Sequence, residues 1–450
     1  MLSVIMNKNE ILEVLSLQPK NILNVLFYDK TSFYLLVAWV TMPIFILIGQ
    51  TLRLEQVIGN LFLIYITVLG LATFLAVSMY AYKVYKINGI NYFKQSLIKR
   101  PWNFAFLTML IWSILPSLLA DDLTLAFYGT VYRNDGFFTY CIYAAIYCCA
   151  QININENLRR KVLQCFILAS LPLCLVTILQ YFNYSTAFLG IYYQERLLSN
   201  MRYAAIFYNT NHYGYYLTMI IAVSAGLYWQ SKRPLEQFFY LFIFTLNTWC
   251  LIMNNTFGSY LAVLFICICA SVFLYKESNN FNKTGSLIPP MLFLLLTVSS
   301  SQIVTNNFQV LSTDVKNIAA ENTSAKNAGS KRWELWTNGL DMLKDKPIFG
   351  YGPENLGKEY LARGIDQDRP HNEYLQHALF LGIPALIFYV AAILMLIKYL
   401  LTNLRNLNNT TFISGLAVVA YLCSAFFGNT MFYTSIYFFL LLGYVSQGRK

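Results

Sequence analysis

The chain has 450 residues, of which 57% are hydrophobic and only 12% charged, against about 25% charged in a soluble globular chain. That excludes an ordinary soluble enzyme. The net charge of +11 does not call for nucleic acid, because apolar runs of about 17–25 residues recur from end to end, each able to cross about 30 Å of hydrocarbon. The composition is that of an all-α integral membrane protein, since helices pair every backbone amide in the bilayer.

Residues 1–32 form a polar leader with both signs of charge, unlike a cleavable signal peptide, whose basic tip and short apolar stretch would come first. Nine spans are expected between 33 and 305: 33–49, 58–82, 102–120, 136–152, 162–182, 203–229, 235–253, 257–275 and 287–305. Three more follow within 373–446, at 373–399, 411–427 and 430–446. With the N-terminus inside and strict alternation, the inside segments hold nineteen of the 32 basic residues and six acidic ones. That bias satisfies the positive-inside rule with both termini cytoplasmic. All nine cysteines fall in these spans, without a disulfide frame or a paired metal spacing.

One connection is long. Residues 306–372 lie outside by this topology, and loops beyond about 15 residues are usually functional or disordered. Its first part, NNFQVLSTDVKNIAAENTSAKNAGS, reads as mobile. Next, Trp333, Trp336, Leu340 and Leu343 make an apolar stripe at helical spacing, with Ser330 placed to cap the helix and Pro347 to stop it. The stripe suits a helix on the membrane surface or against the bundle. IFGYGPENLG is a turn, ENLGKEYLARG a second short helix, and DQDRPHNEY leads into the tenth span. The loop is thus expected to be partly helical.

Chemistry can be carried by few residues. His371 follows Pro370, a residue suited to the first turn of a helix. The partial positive charge there disfavours an imidazolium, so the ring should be neutral and able to accept a proton. The alternative is an interfacial histidine that only packs. His377, six residues on, does not share its face and reads as a bundle contact. Arg332 offers the planar fork that matches a diphosphate, unless it is merely solvated. Arg133 and Arg202 are among the few cations in short outside loops. They either snorkel or bind an anion. Asn209, Asn211 and His212 enter the sixth span, where polar groups face a cavity or bond to neighbouring helices. Asp121 and Asp122 read as a solvated loop face.

Arg332–Trp333, GYGPENLG and PHNEYLQHALFLGIPALIFY, with RNDG and the R…FYNTNHYGYYL stretch upstream, resemble the shared domain of O-antigen ligases and O-antigen polymerases over roughly 130–445. The resemblance implies a GT-C-like bundle of about twelve helices in the cytoplasmic (inner) membrane, with the large loop extracytoplasmic. It implies an inverting, metal-independent glycosyltransferase without cofactor, and an undecaprenyl-diphosphate-linked glycan as donor. The acceptor would be a glycan or lipid-linked group, and the setting cell-surface polysaccharide or lipopolysaccharide biosynthesis among membrane lipids. By motif match, His371 falls in the role of base, and Arg202 and Arg332 in that of diphosphate holders. Arg133 is a further candidate holder, with Asn211, His212, Gly350, Gly352, Asn372 and Glu373 in support. Two departures stand out. Phe257 stands where many members have an arginine, so that role is missing or moved to Arg133, and NTNHYG lacks a proline found in many. Ligase, repeat-unit polymerase and protein O-oligosaccharyltransferase share this chemistry. A twelve-span transporter or flippase fits less well. Its long loop would be inside between spans six and seven, and helices interrupted at matching positions in two halves, a mark of transport, are not expected.

Overall fold

The computed structural model describes residues 19–130, 133–186, 189, 203–207, 209–276, 285–321 and 323–447. Among them there is no β-strand. In chain order the helices are α1 (Pro19–Thr51), α2 (Leu61–Lys99), α3 (Pro101–Leu118), α4 (Phe137–Ile152), α5 (Glu156–Tyr181), α6 (Thr210–Gln230), α7 (Pro234–Asn254) and α8 (Phe257–Lys276). They continue as α9 (Ile288–Ser299), α10 (Ser301–Ala319), α11 (Arg332–Asp345), α12 (Gly357–Ala362), α13 (Glu373–Asn403), α14 (Asn409–Ala425) and α15 (Ser435–Gln447).

A helix stands at each of the twelve expected positions. Six of them are long and apolar enough to span a membrane by themselves, and the bent pair α9–α10 would make a seventh. α4, α8, α14 and α15 are apolar but shorter. α6 is the central helix, buried on nearly every side and packed on α7, α8 and α14. Its asparagine, histidine, threonines and tyrosines explain why it is not among the apolar six.

The connections sort into two ends. At one end Asp29 Oδ1 accepts from the Ile154 amide at 2.8 Å, Glu156 Oε1 from the Asn409 amide at 2.9 Å, and Gln230 Nε2 donates to the Asn409 carbonyl at 2.8 Å. Both described termini belong to this end, since the Tyr444 hydroxyl donates to Asn153 at 3.2 Å. At the other end Asn355 Oδ1 accepts from the Asp122 amide at 2.9 Å, and Asn307 Nδ2 donates to Asn255 at 2.7 Å. The described connections thus gather at two opposite ends of the bundle.

Three features of the long loop differ from expectation. Its polar start is not an irregular segment. The chain turns by 86° after α9 and runs on as α10, followed by a 3-10 turn at Thr323–Asn327. Ser330 does not cap α11. Gly329, Ser330 and Lys331 are all left-handed, and no side chain caps the helix. The stripe on α11 is only partly covered. Trp336 and Leu343 pack against the core, whereas Leu340 is 55% exposed, and the face buried most deeply is Leu335, Gly339 and Met342.

Two helices are interrupted, at Gly89 in α2 and at Gly382 in α13. The second break explains the glycine turn. At Gly382 (φ +86°) the helical ladder stops. The freed carbonyls of Leu379 and Phe380 accept from the Tyr351 and Gly352 amides at 2.8 and 2.9 Å, and that of Leu381 accepts from the Trp112 indole at 2.9 Å. The Ile383 amide donates back to the Pro347 carbonyl at 2.8 Å. A break at membrane depth survives only if such groups are paired, and residues 347–352 pair them. The approach needs glycine on both sides: a Cβ on Gly382 would meet the Ile348 carbonyl, and one on Gly350 (φ +63°) the Leu379 carbonyl. Gly350 and Gly352 therefore serve packing.

Gly382→Ala should cost several kcal/mol, because it adds a backbone collision to the left-handed strain of about 1–2 kcal/mol. Gly364→Ala, at φ +76° with open space around the new methyl, should cost only that strain. Thermal unfolding in detergent compares the two, and equal losses would contradict the packing role of the break.

Candidate active site

The site grows from one buried charge. Arg369 is fully buried, with its guanidinium 5.8 Å from the centre of the Phe380 ring. It pairs with Asp135 at 3.3 Å and with Glu354, and Nη1 donates to the Thr430 carbonyl at 2.9 Å. Asp135 also accepts from the Thr430 and Tyr143 hydroxyls, and Thr430 accepts from Gln376 at 2.6 Å. Glu354 accepts from Thr130 at 3.1 Å. Next to this cluster, Arg133 grips Asp368 with two parallel bonds of 2.8 and 2.9 Å. The cluster ties together the loop before α4, the glycine turn, the entry to α13 and the segment between α14 and α15. Burial lowers the Arg369 pKa to about 10, with Arg133 adding to the effect, so the side chain stays charged at neutral pH.

His371 stands two residues beyond this anchor. Its backbone is left-handed (φ +51°). Pro370 before it accepts the Trp336 indole hydrogen at 2.9 Å, and Asn372 after it caps α13 by accepting from the Leu375 amide at 3.0 Å. The histidine therefore precedes the cap and lies outside the first helical turn. Its pKa is pushed down to about 3, first by burial and then by Arg332, Arg133 and Arg369. The neutral ring expected from the sequence is retained, but its cause is burial and three arginines and not the helix end. Nε2 lies 3.4 Å from Gln367 Oε1, while Nδ1 is buried without a hydrogen-bond partner, and the nearby Asn429 side chain partly offsets the fall in pKa.

His371 opens on a cavity of about 510 Å³ at the loop end of the bundle. Arg332 lines it too, oriented by two carbonyls: Nη1 donates to Gly329 at 2.8 Å and Nε to Phe427 at 3.1 Å. Its polar lining includes Asn211, Asn255, Asn307, Asp314 and Gln367, and its apolar lining Leu261 from α8 and Val310, Leu311, Val315 and Ile318 from α10. Trp333 and Trp336 close one side. The cavity can hold a ligand with an anionic centre between a hydroxyl-rich part and a hydrocarbon part.

Of the residues singled out from the sequence, His371, Arg332 and Asn211 meet on this cavity. Arg202 lies outside the described residues. Arg133 is not on the cavity wall, since its fork is committed to Asp368, so it does not replace the arginine absent at Phe257. Phe257 itself lines the cavity and stacks on Tyr260. His212 is buried in α6 with its ring edge-on to Tyr433. Glu373 points into the bundle, accepting from the Tyr389 and Tyr421 hydroxyls at 2.6 and 2.9 Å, with His377 3.8 Å away. Asp122 caps the short helix Leu123–Tyr128. Sequence reasoning missed Arg369 and Asn429. The signal for Arg369 was an arginine beside a proline and the candidate histidine. Asn429 carried none, because its role needs α14 and α15 packed together.

Removing one partner of a buried ion cluster leaves an uncompensated charge, at a cost of about 3–5 kcal/mol. Arg369→Ala should lower stability by that much. The triple change Arg369→Met, Asp135→Asn, Glu354→Gln should recover most of it. Unfolding midpoints in detergent test this, and a triple variant no better than the single one would argue against charge as the cause.

Residues 239–390, about a third of the chain, match a family model described as O-antigen ligase. The match runs from α7 through α8, α9, α10, α11 and the glycine turn to the middle of α13, and includes Arg332 and His371. An uncharacterized protein of Haemophilus influenzae (strain ATCC 51907 / DSM 11121 / KW20 / Rd) is 24% identical over 156 residues, covering 31% of this chain and 38% of that protein. The chain thus spans well under two thirds of that relative's length. The resemblance seen in Arg332–Trp333, GYGPENLG and PHNEYLQH is supported by a match over the same residues, and residues 239–390 of this multi-pass membrane protein are similar to the O-antigen ligase domain.

Proposed function

We propose that the protein is a ligase-type glycosyltransferase that moves a glycan from undecaprenyl diphosphate to an acceptor hydroxyl. In this reading twelve spans cross the cytoplasmic membrane, both termini are cytoplasmic and the cavity opens on the outer face. The observation that carries the reading is the convergence of His371 and Arg332 on one amphipathic cavity, inside the segment matched by the O-antigen ligase model.

The donor diphosphate sits on the Arg332 guanidinium, whose fork suits phosphate oxygens, with Arg202 as a second holder. The lipid chain lies along α8 and α10. The acceptor hydroxyl takes the place of Gln367 at His371 Nε2, the ring's own proton residing on Nδ1. Its oxygen attacks the anomeric carbon, the bond to the diphosphate oxygen breaks with its electron pair, and Nε2 takes the proton. One base suffices for this inverting step, whereas retention would call for a second carboxylate as nucleophile. Negative charge grows on the leaving diphosphate, so a fixed arginine favours the transition state.

The low pKa of His371 bears on this scheme. A histidine held near 3 is neutral but a weak base. Its depression comes partly from Arg332, and a bound diphosphate offsets that charge, raising the histidine towards its ordinary value. Donor binding thus strengthens the base.

Loss of a positioned base costs about 10²–10⁴ in rate. His371→Ala should stop transfer while the protein remains in the membrane. Surface glycans on a gel read the result. Long chains accumulating on the polyprenyl lipid with a bare acceptor mark a ligase, and single repeat units on the acceptor in place of a ladder mark a polymerase. An unchanged pattern would sink the assignment. Arg332→Lys should be no more active than Arg332→Ala, because a point charge lacks the fork. Turnover with lysine equal to the parent would indicate bulk electrostatics instead. Activity needs neutral His371, so it falls as pH drops through the histidine's pKa. The acid limb of kcat, set by the donor complex, should therefore lie at higher pH than that of kcat/KM, set by the free protein. Coincident limbs would refute donor activation of the base.

A further inference from the structure

A second cavity, of about 410 Å³, lies between α2, α3 and α4 towards the end of the bundle that carries the termini. Its walls are apolar and aromatic, with Phe106, Leu110, Tyr143, Ala144 and Phe439 among them, and its deep end closes on His377 and Thr430. Its mouth is polar. Arg100 stands there beside Asn103 and Gln151, which bond to each other at 3.3 Å. Among the described lining residues Arg100 bears the one full charge and no acid is present. Below the break at Gly89, α2 presents Phe93, Ser96 and Leu97 to the cavity, while Lys94 and Lys99 on the same stretch of chain are exposed.

We propose that this cavity is the seat of one phospholipid with a net-negative head group, its phosphate on Arg100 and an acyl chain reaching towards His377. The argument is charge and shape together. A cavity with apolar walls at membrane depth takes hydrocarbon, and an arginine with lysines on the same stretch of chain favours an anionic head group. The chain would also serve the candidate active site. Thr430 forms the end of the cavity and donates to Asp135, the carboxylate that holds Arg369. Hydrocarbon packed there excludes water from the membrane side of the charged cluster, where ion pairs are stronger the lower the local dielectric. The proposal goes beyond glycan transfer and does not depend on it.

The test is native mass spectrometry of the full chain released from detergent micelles containing equimolar phosphatidylglycerol and phosphatidylcholine. The parent protein should keep one phosphatidylglycerol per chain. Ala144→Phe, which fills the cavity, should keep none while remaining monodisperse. Arg100→Gln should keep a lipid but take the two kinds equally. His371→Ala should retain phosphatidylglycerol like the parent, so a failure of the transfer reading leaves this result intact. A parent that retains no lipid, or no preference between the two, overturns the proposal. So does an Ala144→Phe protein with the parent's lipid complement. Should Ala144→Phe fail to fold, a preference in Arg100→Gln equal to the parent's overturns it alone.

Discussion

The placement of the candidate site depends on one buried cation. A guanidinium cannot be left unpaired in a protein interior, where the penalty for removing an ion from water is several kcal/mol even after relaxation. Arg369 is fully buried, so Asp135, Glu354 and the Thr430 carbonyl must come to it. Those partners lie on three separate stretches of chain, and their assembly fixes where α13 begins. His371, two residues away, inherits its position from that demand. Trp336 and Asn372 then fix the peptide units on either side of it. A ring with so little freedom can be aimed at a cavity without being part of a helix.

The same economy governs the junction of loop and bundle. Breaking α13 at Gly382 frees carbonyls that hydrocarbon cannot satisfy, and the glycine turn supplies their partners. The loop is thereby part of the membrane bundle's backbone pairing, not an appendage to it. The amphipathic helix α10 extends this continuity, since its apolar face forms one wall of the cavity while α11 and the entry to α13 form others. Chemistry at the membrane boundary requires such a mixed surface, with hydrocarbon on one side and amides, an arginine and a histidine on the other.

The charged cluster also lies between two cavities. The first, open to the loop end, holds His371 and Arg332. The second, towards the opposite end, is nearly all apolar. Thr430 and Asp135 form the partition. Their hydrogen bonds, together with those of Gln376 and Tyr143, leave the carboxylate bonded from several directions. A partition of this kind lets polar chemistry operate close to hydrocarbon, because the charges that shape the site are compensated locally and do not draw water through the bundle.

The sequence by itself determined the membrane class and the positions of the helices. Apolar run length and the Lys/Arg bias are local properties that a bilayer reads directly. It also determined His371 and Arg332 as residues of interest, because charge and histidine are scarce in this chain and scarcity makes each conspicuous. Only the tertiary structure decided which of the candidates meet. Arg133 looked as suitable as Arg332, but Asp368, distant in sequence, takes its fork. Gly350, Gly352 and Glu373 looked like site residues, but Gly350 packs closely on the broken helix, the Gly352 amide bonds to it and Glu373 bonds to Tyr389 and Tyr421. Arg369 and Asn429 were not singled out because their roles come entirely from partners brought from elsewhere. A residue's scarcity can be counted along the chain, whereas its hydrogen-bond partners exist only once the helices have packed.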